Sequence, residues 1–120
     1  MKYALFIYPG PGSLDDVSEA QAAAITAEYI ALRDEAGFID GARLQDEHAT
    51  TTVRVKDGEI LATDGPFAET KDVIGGYYVF AADDLDRALE LAARIPAARM
   101  GGAIEVRPLV ELPIPSRTGA

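Results

Sequence analysis

The chain has 120 residues, a formal charge of −9, one histidine, and no cysteine or tryptophan. Its length suits one domain, and an apolar content of 48% supplies material for one packed core rather than a disordered chain. Absent cysteine excludes disulfides, thiol nucleophiles and thiolate metal centres, one histidine excludes a multi-histidine site within a chain, and twenty acidic against eleven basic residues argue against nucleic acid or an anionic membrane as partner.

Lys2–Tyr8 is apolar on both alternating sets of positions and reads as a strand covered on both faces. The run is shorter than a secretory leader's apolar core and lacks a small-residue cleavage site, so the expected location is the cytoplasm. No stretch reaches the roughly 18 apolar residues of a membrane span. Residues 9–17, rich in Gly, Pro and Asp, form a loop. A helix follows, started by a capping box of Ser18 and Gln21, with Ala22, Ile25, Tyr29, Leu32 and Ala36 on its inner stripe. Gly37 suits a left-handed C-terminal cap, with Phe38 folding back onto the last turn.

Residues 41–44 are extended, and Thr51–Lys56 alternates Val53 and Val55 against Thr52, Arg54 and Lys56. Asp57-Gly58 is a two-residue hairpin turn that returns the chain along 59–63. Asp64-Gly65-Pro66-Phe67 then interrupts, because proline cannot donate to a ladder. Residues 74–81 form a second strand apolar on both faces. Asp83 or Asp84 caps a second helix with Leu85, Ala88, Leu89, Ala92 and Ile95 inside, Pro96 and Gly101-Gly102 end it, and Ala103–Pro108 is the last strand.

This order predicts an α+β chain with a ferredoxin-like βαββαβ arrangement: a four-stranded antiparallel sheet plus a short extra hairpin strand. Right-handed crossovers put the first strand and the 74–81 strand in the middle. The domain spans residues 1–112, and 113–120 is a flexible C-terminal tail. Two helices cover one sheet face only. The other carries large apolar side chains, which predicts a homodimer packed through the open sheet face.

The run Asp64-Gly65-Pro66-Phe67-Ala68-Glu69-Thr70-Lys71 resembles the signature of the YCII-related family in its DGPF-motif branch. So do residues 50–54, Gly75-Gly76-Tyr77-Tyr78, Arg94-Ile95-Pro96 and Glu105-Val106-Arg107-Pro108, in the same order from Met1 to Leu112. The resemblance implies a bacterial dimeric α/β-barrel built from two ferredoxin-like subunits. Most members are of unknown function, and some are encoded beside extracytoplasmic-function sigma factors. Relatives in the wider family are proposed to use a His–Asp pair whose His lies in the first helix, and a distant one removes chloride from a ring-cleavage product. Residues 19–36 of this chain contain no histidine.

Several side chains are candidates for chemistry. Asp64, at a strand end, is either a general base or substrate anchor, or the acceptor for amides of its own turn. Arg54 either pairs Asp64 or Glu69 or holds a ligand carboxylate. Glu69 and Lys71 either frame a polar pocket with Asp64 or form a solvated loop pair. His48, in Asp46-Glu47-His48, is a proton shuttle or a surface imidazole. Tyr77 and Tyr78 point to opposite faces, so one of them looks into a cavity, with packing as the alternative role for either. Gly75-Gly76 either admits a close approach to the backbone or marks a bulge.

Two functions of different class follow. The first is a small-molecule enzyme of lyase, isomerase or dehydrohalogenase type with no cofactor and no metal. Its catalytic residues are Asp64, His48 and Tyr78, and Arg54, Phe67, Glu69, Lys71 and Tyr77 bind substrate. The second is a non-catalytic dimer that senses a ligand or binds a protein linked to transcriptional regulation. A small organic ligand fits both.

Overall fold

The computed structural model describes residues 1–67 and 73–112. Glu69 and Lys71, and the tail 113–120, lie outside the described residues. The elements are β1 (Lys2–Tyr8), α1 (Glu19–Ala31) continued by a 3₁₀ turn at Leu32–Asp34, β2 (Phe38–Arg43), β3 (Thr51–Lys56), β4 (Glu59–Asp64), β5 (Gly76–Ala81), α2 (Leu85–Ala93), α3 (Pro96–Arg99) and β6 (Ala103–Pro108).

Four strands form an antiparallel sheet in the order β2-β5-β1-β6, with the two doubly apolar strands at its centre. The helical face carries Tyr3, Leu5, Ile7, Tyr78 and Phe80, all buried, and Ile104 and Val106 pack against them. Fully burying one such side chain contributes about 1.5–3 kcal/mol. Phe38 closes one side, edge-on to both Tyr78 and Phe80. The opposite face of the sheet carries Phe6, Tyr8, Tyr77 and Val79, each half-buried. Arg107 extends over the Phe6 ring, 5.9 Å from its centroid.

Local chemistry explains the helix ends. The Ser18 hydroxyl accepts from the Gln21 amide and the Gln21 side chain accepts from the Ser18 amide, at 3.1 and 2.9 Å, a reciprocal cap worth about 1 kcal/mol. The Asp84 carboxylate accepts from the Arg87 amide at 2.9 Å and starts α2. The buried stripe of this region is Ala88, Leu91, Ala92 and Ile95. The expected stripe is corrected at two positions, since Leu85 and Leu89 are exposed. Helical spacing admits either Leu89 or Leu91 beside Ala88 and Ala92, and it is Leu91 that joins the buried core. Glu35, after α1, pairs with both Arg94 and Arg87 and so ties the two helical regions together. Its carboxyl is held below the usual range, first by the Arg94 hydrogen bond.

β3 and β4 form a separate two-stranded sheet, with the turn at Asp57 and Gly58 in the left-handed region. Register puts Val53, Val55, Ile60 and Ala62 on one side of this arm and Thr52, Arg54, Lys56, Glu59, Leu61 and Thr63 on the other. Its apolar side faces outward, with Val53, Val55 and Ile60 exposed by 60, 68 and 75%.

Candidate functional site

The structure distributes the candidate residues over three places. The first is the base of the β3–β4 arm, where Glu47, His48, Asp64, Gly65 and Pro66 line a shallow depression. The turn there is held by its backbone: the Gly65 amide donates to the Thr50 carbonyl at 2.8 Å, and the Thr52 hydroxyl donates to the Gly65 carbonyl at 2.6 Å. His48 Nδ1 lies 2.5 Å from the Asp46 carboxylate, and the His48 amide donates to the same oxygen at 2.9 Å. These contacts lower the Asp46 carboxyl, chiefly through the backbone amide. The Asp46 hydrogen bond raises the His48 imidazole, with further help from the charges of Asp46 and Glu47. The His48 side chain is 90% exposed, so no protein wall excludes water from it.

His48 should therefore titrate above 6.5. Because its folded value is raised, any stabilisation from the pair is present below pH 6.5 and is lost as pH rises through the folded value. Proton NMR of the sole imidazole reads this directly. Asp46→Asn should bring the midpoint down toward the ordinary value, and an unmoved midpoint would refute the assignment.

The second place is the arm itself. Arg54 stands over the Phe67 ring, 5.5 Å from its centroid. Among the described residues it makes no ion pair with Asp64.

The third place is a partly open chamber of about 490 Å³ between α1, β1, β2 and β5, bordered by Ser13 and Leu14 of the 9–17 loop. Tyr78 is here, and its hydroxyl donates to the Tyr29 carbonyl at 2.6 Å. That carbonyl belongs to the last turn of α1, where helix carbonyls lack ordinary partners. Burial pushes the Tyr78 phenol up to about 12, with Tyr29 adding to the rise and Arg33 opposing it. Burial also raises the Tyr29 phenol, against a backbone hydrogen bond from Ala97 and the guanidiniums of Arg43 and Arg99. Tyr77 borders the chamber, but its hydroxyl donates to Asp40 at 3.5 Å.

The chamber exists because α1 stands off the sheet. None of the thirteen α1 residues is fully buried, although Ile25 and Tyr29 face inward. Gly41 lets the Tyr78 ring lie against β2, since a Cβ there would come within 2.7 Å of that ring. Gly75 and Gly76 do admit a close approach, and the approaching group is the chain itself: a Cβ would meet the Pro9 ring and the Ala42 carbonyl, each at 2.8 Å.

Tyr29, Arg33 and Arg43 also line this chamber and went unrecognised as site residues from the sequence. The available signal was Ile25, Tyr29 and Arg33 at successive i+4 positions on one stripe. Asp64, His48 and Arg54 do not line it. Among the described residues no group of three His, Asp or Glu side chains is placed to hold a metal ion, and no helix is long and apolar enough to cross a membrane.

Three comparisons bear on this geometry. An uncharacterised protein of Rhizobium meliloti (strain 1021) is 44% identical over 69 residues, 57% of this chain and 56% of that protein, so the match spans about half of the relative's length. A solved structure of 5-chloro-2-hydroxyhydroquinone dehydrochlorinase from Burkholderia phenoliruptrix AC1100, in complex with 2,5-dihydroxybenzoquinone, superposes with a TM-score of 0.51 at 20% identity. That superposition covers 92% of this chain and 94% of the other, and it shows a shared fold. The YCII-related domain matches residues 1–113, and on that extent the chain belongs to the YCII-related family.

Proposed function

We propose that this protein binds a small, largely apolar organic molecule in the chamber beneath α1. The observation that carries the reading is the chamber itself: about 490 Å³ walled by Ile7, Ala22, Ile25, Ile30 and tyrosine side chains. That volume lies within the range of small-molecule sites, and the walls follow their usual composition, apolar with a few polar groups. The related fold of a dehydrochlorinase bound to 2,5-dihydroxybenzoquinone supports a ring-sized ligand.

Binding is better supported than proton transfer. The described lining holds no carboxylate and no imidazole, and two of its three tyrosines, Tyr29 and Tyr78, have phenols raised by burial. Neither phenol is a base near neutral pH. The alternative, acid–base chemistry of lyase, isomerase or dehydrohalogenase type by Asp64 and His48, rests on their meeting in the depression at the arm base. That place is open to water, and the chamber does not reach Asp64.

A thermal-shift screen of small aromatic acids, amides and quinones, including 2,5-dihydroxybenzoquinone, tests the reading. A ligand at 100 times its dissociation constant should stabilise the chain by about 2.7 kcal/mol. Ile25→Trp, which fills the chamber from α1, should abolish the shift and preserve the fold by circular dichroism. A panel without effect, or a shift that survives Ile25→Trp, would overturn it.

The working unit in this proposal is a homodimer. Phe6, Tyr8, Tyr77 and Val79 form an apolar patch on the sheet face that no helix covers among the described residues. A second copy packed on that face would bury it. Multi-angle light scattering at micromolar concentration should give twice the chain mass, and a monomer would remove this part of the proposal.

A further inference from the structure

The chamber's charge is opposite to that of the protein. The chain carries a formal charge of −9, yet the described lining contains Arg33 and Arg43 and no acidic side chain. Among the described residues the other arginines have partners. Arg87 and Arg94 pair with Glu35, Arg99 with Glu28 and Arg107 with Glu105, while Arg33 and Arg54 lie over the rings of Phe38 and Phe67. Among the described residues Arg43 makes neither an ion pair nor a ring contact.

Its placement gives that guanidinium a task. Arg43 ends β2 in register with Gly76, on the same sheet face as Tyr78, and lines the chamber. The Arg43 charge also reaches the Tyr29 phenol and opposes its rise. Tyr29 and Tyr78 differ in what they can offer. The Tyr78 proton is committed to the Tyr29 carbonyl. The Tyr29 phenol, kept neutral at physiological pH, retains a proton for an incoming oxygen. A guanidinium without a partner among the described residues and a phenol donor, both lining one largely apolar chamber, match a carboxylate attached to an apolar body.

Building on the chamber reading above, we propose that Arg43 and the Tyr29 hydroxyl hold the carboxylate of a small organic acid whose ring-sized apolar body lies between α1 and the sheet. The ligand class is thus a monocarboxylate. Arg33, at the α1 end of the chamber, adds positive field without being the primary contact.

Isothermal titration of the full chain with benzoate and with its neutral isostere benzamide tests this. Benzoate should bind at least tenfold more tightly than benzamide at neutral pH, and higher salt should narrow the gap. Arg43→Gln should remove most of that preference and leave benzamide binding unchanged. Tyr29→Phe should weaken benzoate severalfold. Lys56→Gln, at the far end of the arm, removes the same charge from the protein and should leave the preference intact. Circular dichroism melts of each variant establish that it is folded. Equal binding of benzoate and benzamide, or a preference that survives Arg43→Gln, would overturn the anion site and leave the chamber reading standing. Failure of both compounds to bind would overturn both.

Discussion

Gly37→Val should destabilise the protein by about 3–5 kcal/mol, the sum of two independent penalties. Gly37 has φ +92°, where a β-branched residue is strained. A Cβ at this position would also stand 2.2 Å from the Ala81 carbonyl oxygen. That oxygen is backbone at the end of β5, and the Ala81 amide donates to the Gly37 carbonyl at 2.7 Å, so the two segments are held together where the collision would occur. Moving them apart separates the start of β2 from β5 and displaces Phe38 from its contacts with Tyr78 and Phe80. Gly58 is the internal control. It has φ +79° at the tip of the arm and nothing within 4 Å of an added Cβ, so Gly58→Val should cost about 1–2 kcal/mol from strain alone. Urea unfolding followed by circular dichroism measures both. Equal losses at the two positions would show that the Ala81 contact is unimportant.

That comparison also separates what the amino-acid order reveals from what it hides. Features written in adjacent residues were legible: the Ser18–Gln21 capping box and the Asp57-Gly58 turn. Gly37 has the expected positive φ, but it is not the helix cap: α1 is capped at Leu32 and the 3₁₀ turn after it at Glu35, so Gly37 leads into β2 instead. The order of strands followed from two segments apolar on both faces, because only central strands need apolar residues on each side. The close packing of Gly37 on Ala81 was not legible, since it joins residues far apart in sequence. The same holds for the candidate site. Asp64, His48 and Tyr78 read as one constellation, but β3 and β4 pair with each other and carry Asp64 on their own sheet, while Tyr78 faces α1 on the main one. That α1 buries none of its residues fully is a property of its spacing from the sheet, which no helical periodicity reports. Arg43 gains its meaning only when the partners of the other arginines are known.

The second large effect is at Tyr78, where two substitutions divide one side chain into its parts. Tyr78→Ala removes a ring packed against Phe38 and Phe80 and should cost about 3–5 kcal/mol. Tyr78→Phe keeps the ring and deletes the donor to the Tyr29 carbonyl, which should cost about 1–2 kcal/mol because a part-buried acceptor loses its partner. The two variants also differ in their response to alkali. The Tyr78 phenol is pushed up to about 12 from 10.0, so its folded value is raised. Its contribution is fully present below pH 10 and is lost as pH rises from 10 toward 12, since the ionised phenolate can no longer donate to the carbonyl. The alkaline loss attributable to this group should be on the order of 1–2 kcal/mol, allowing for partial solvation of the hydroxyl. Denaturant midpoints taken at pH 8, 10 and 11.5 should fall more steeply for the native chain than for Tyr78→Phe, although the variant is the less stable at pH 8. Parallel alkaline slopes would mean that the Tyr78 hydroxyl is not held by the Tyr29 carbonyl. The contact that keeps α1 poised above the chamber would then have to lie elsewhere.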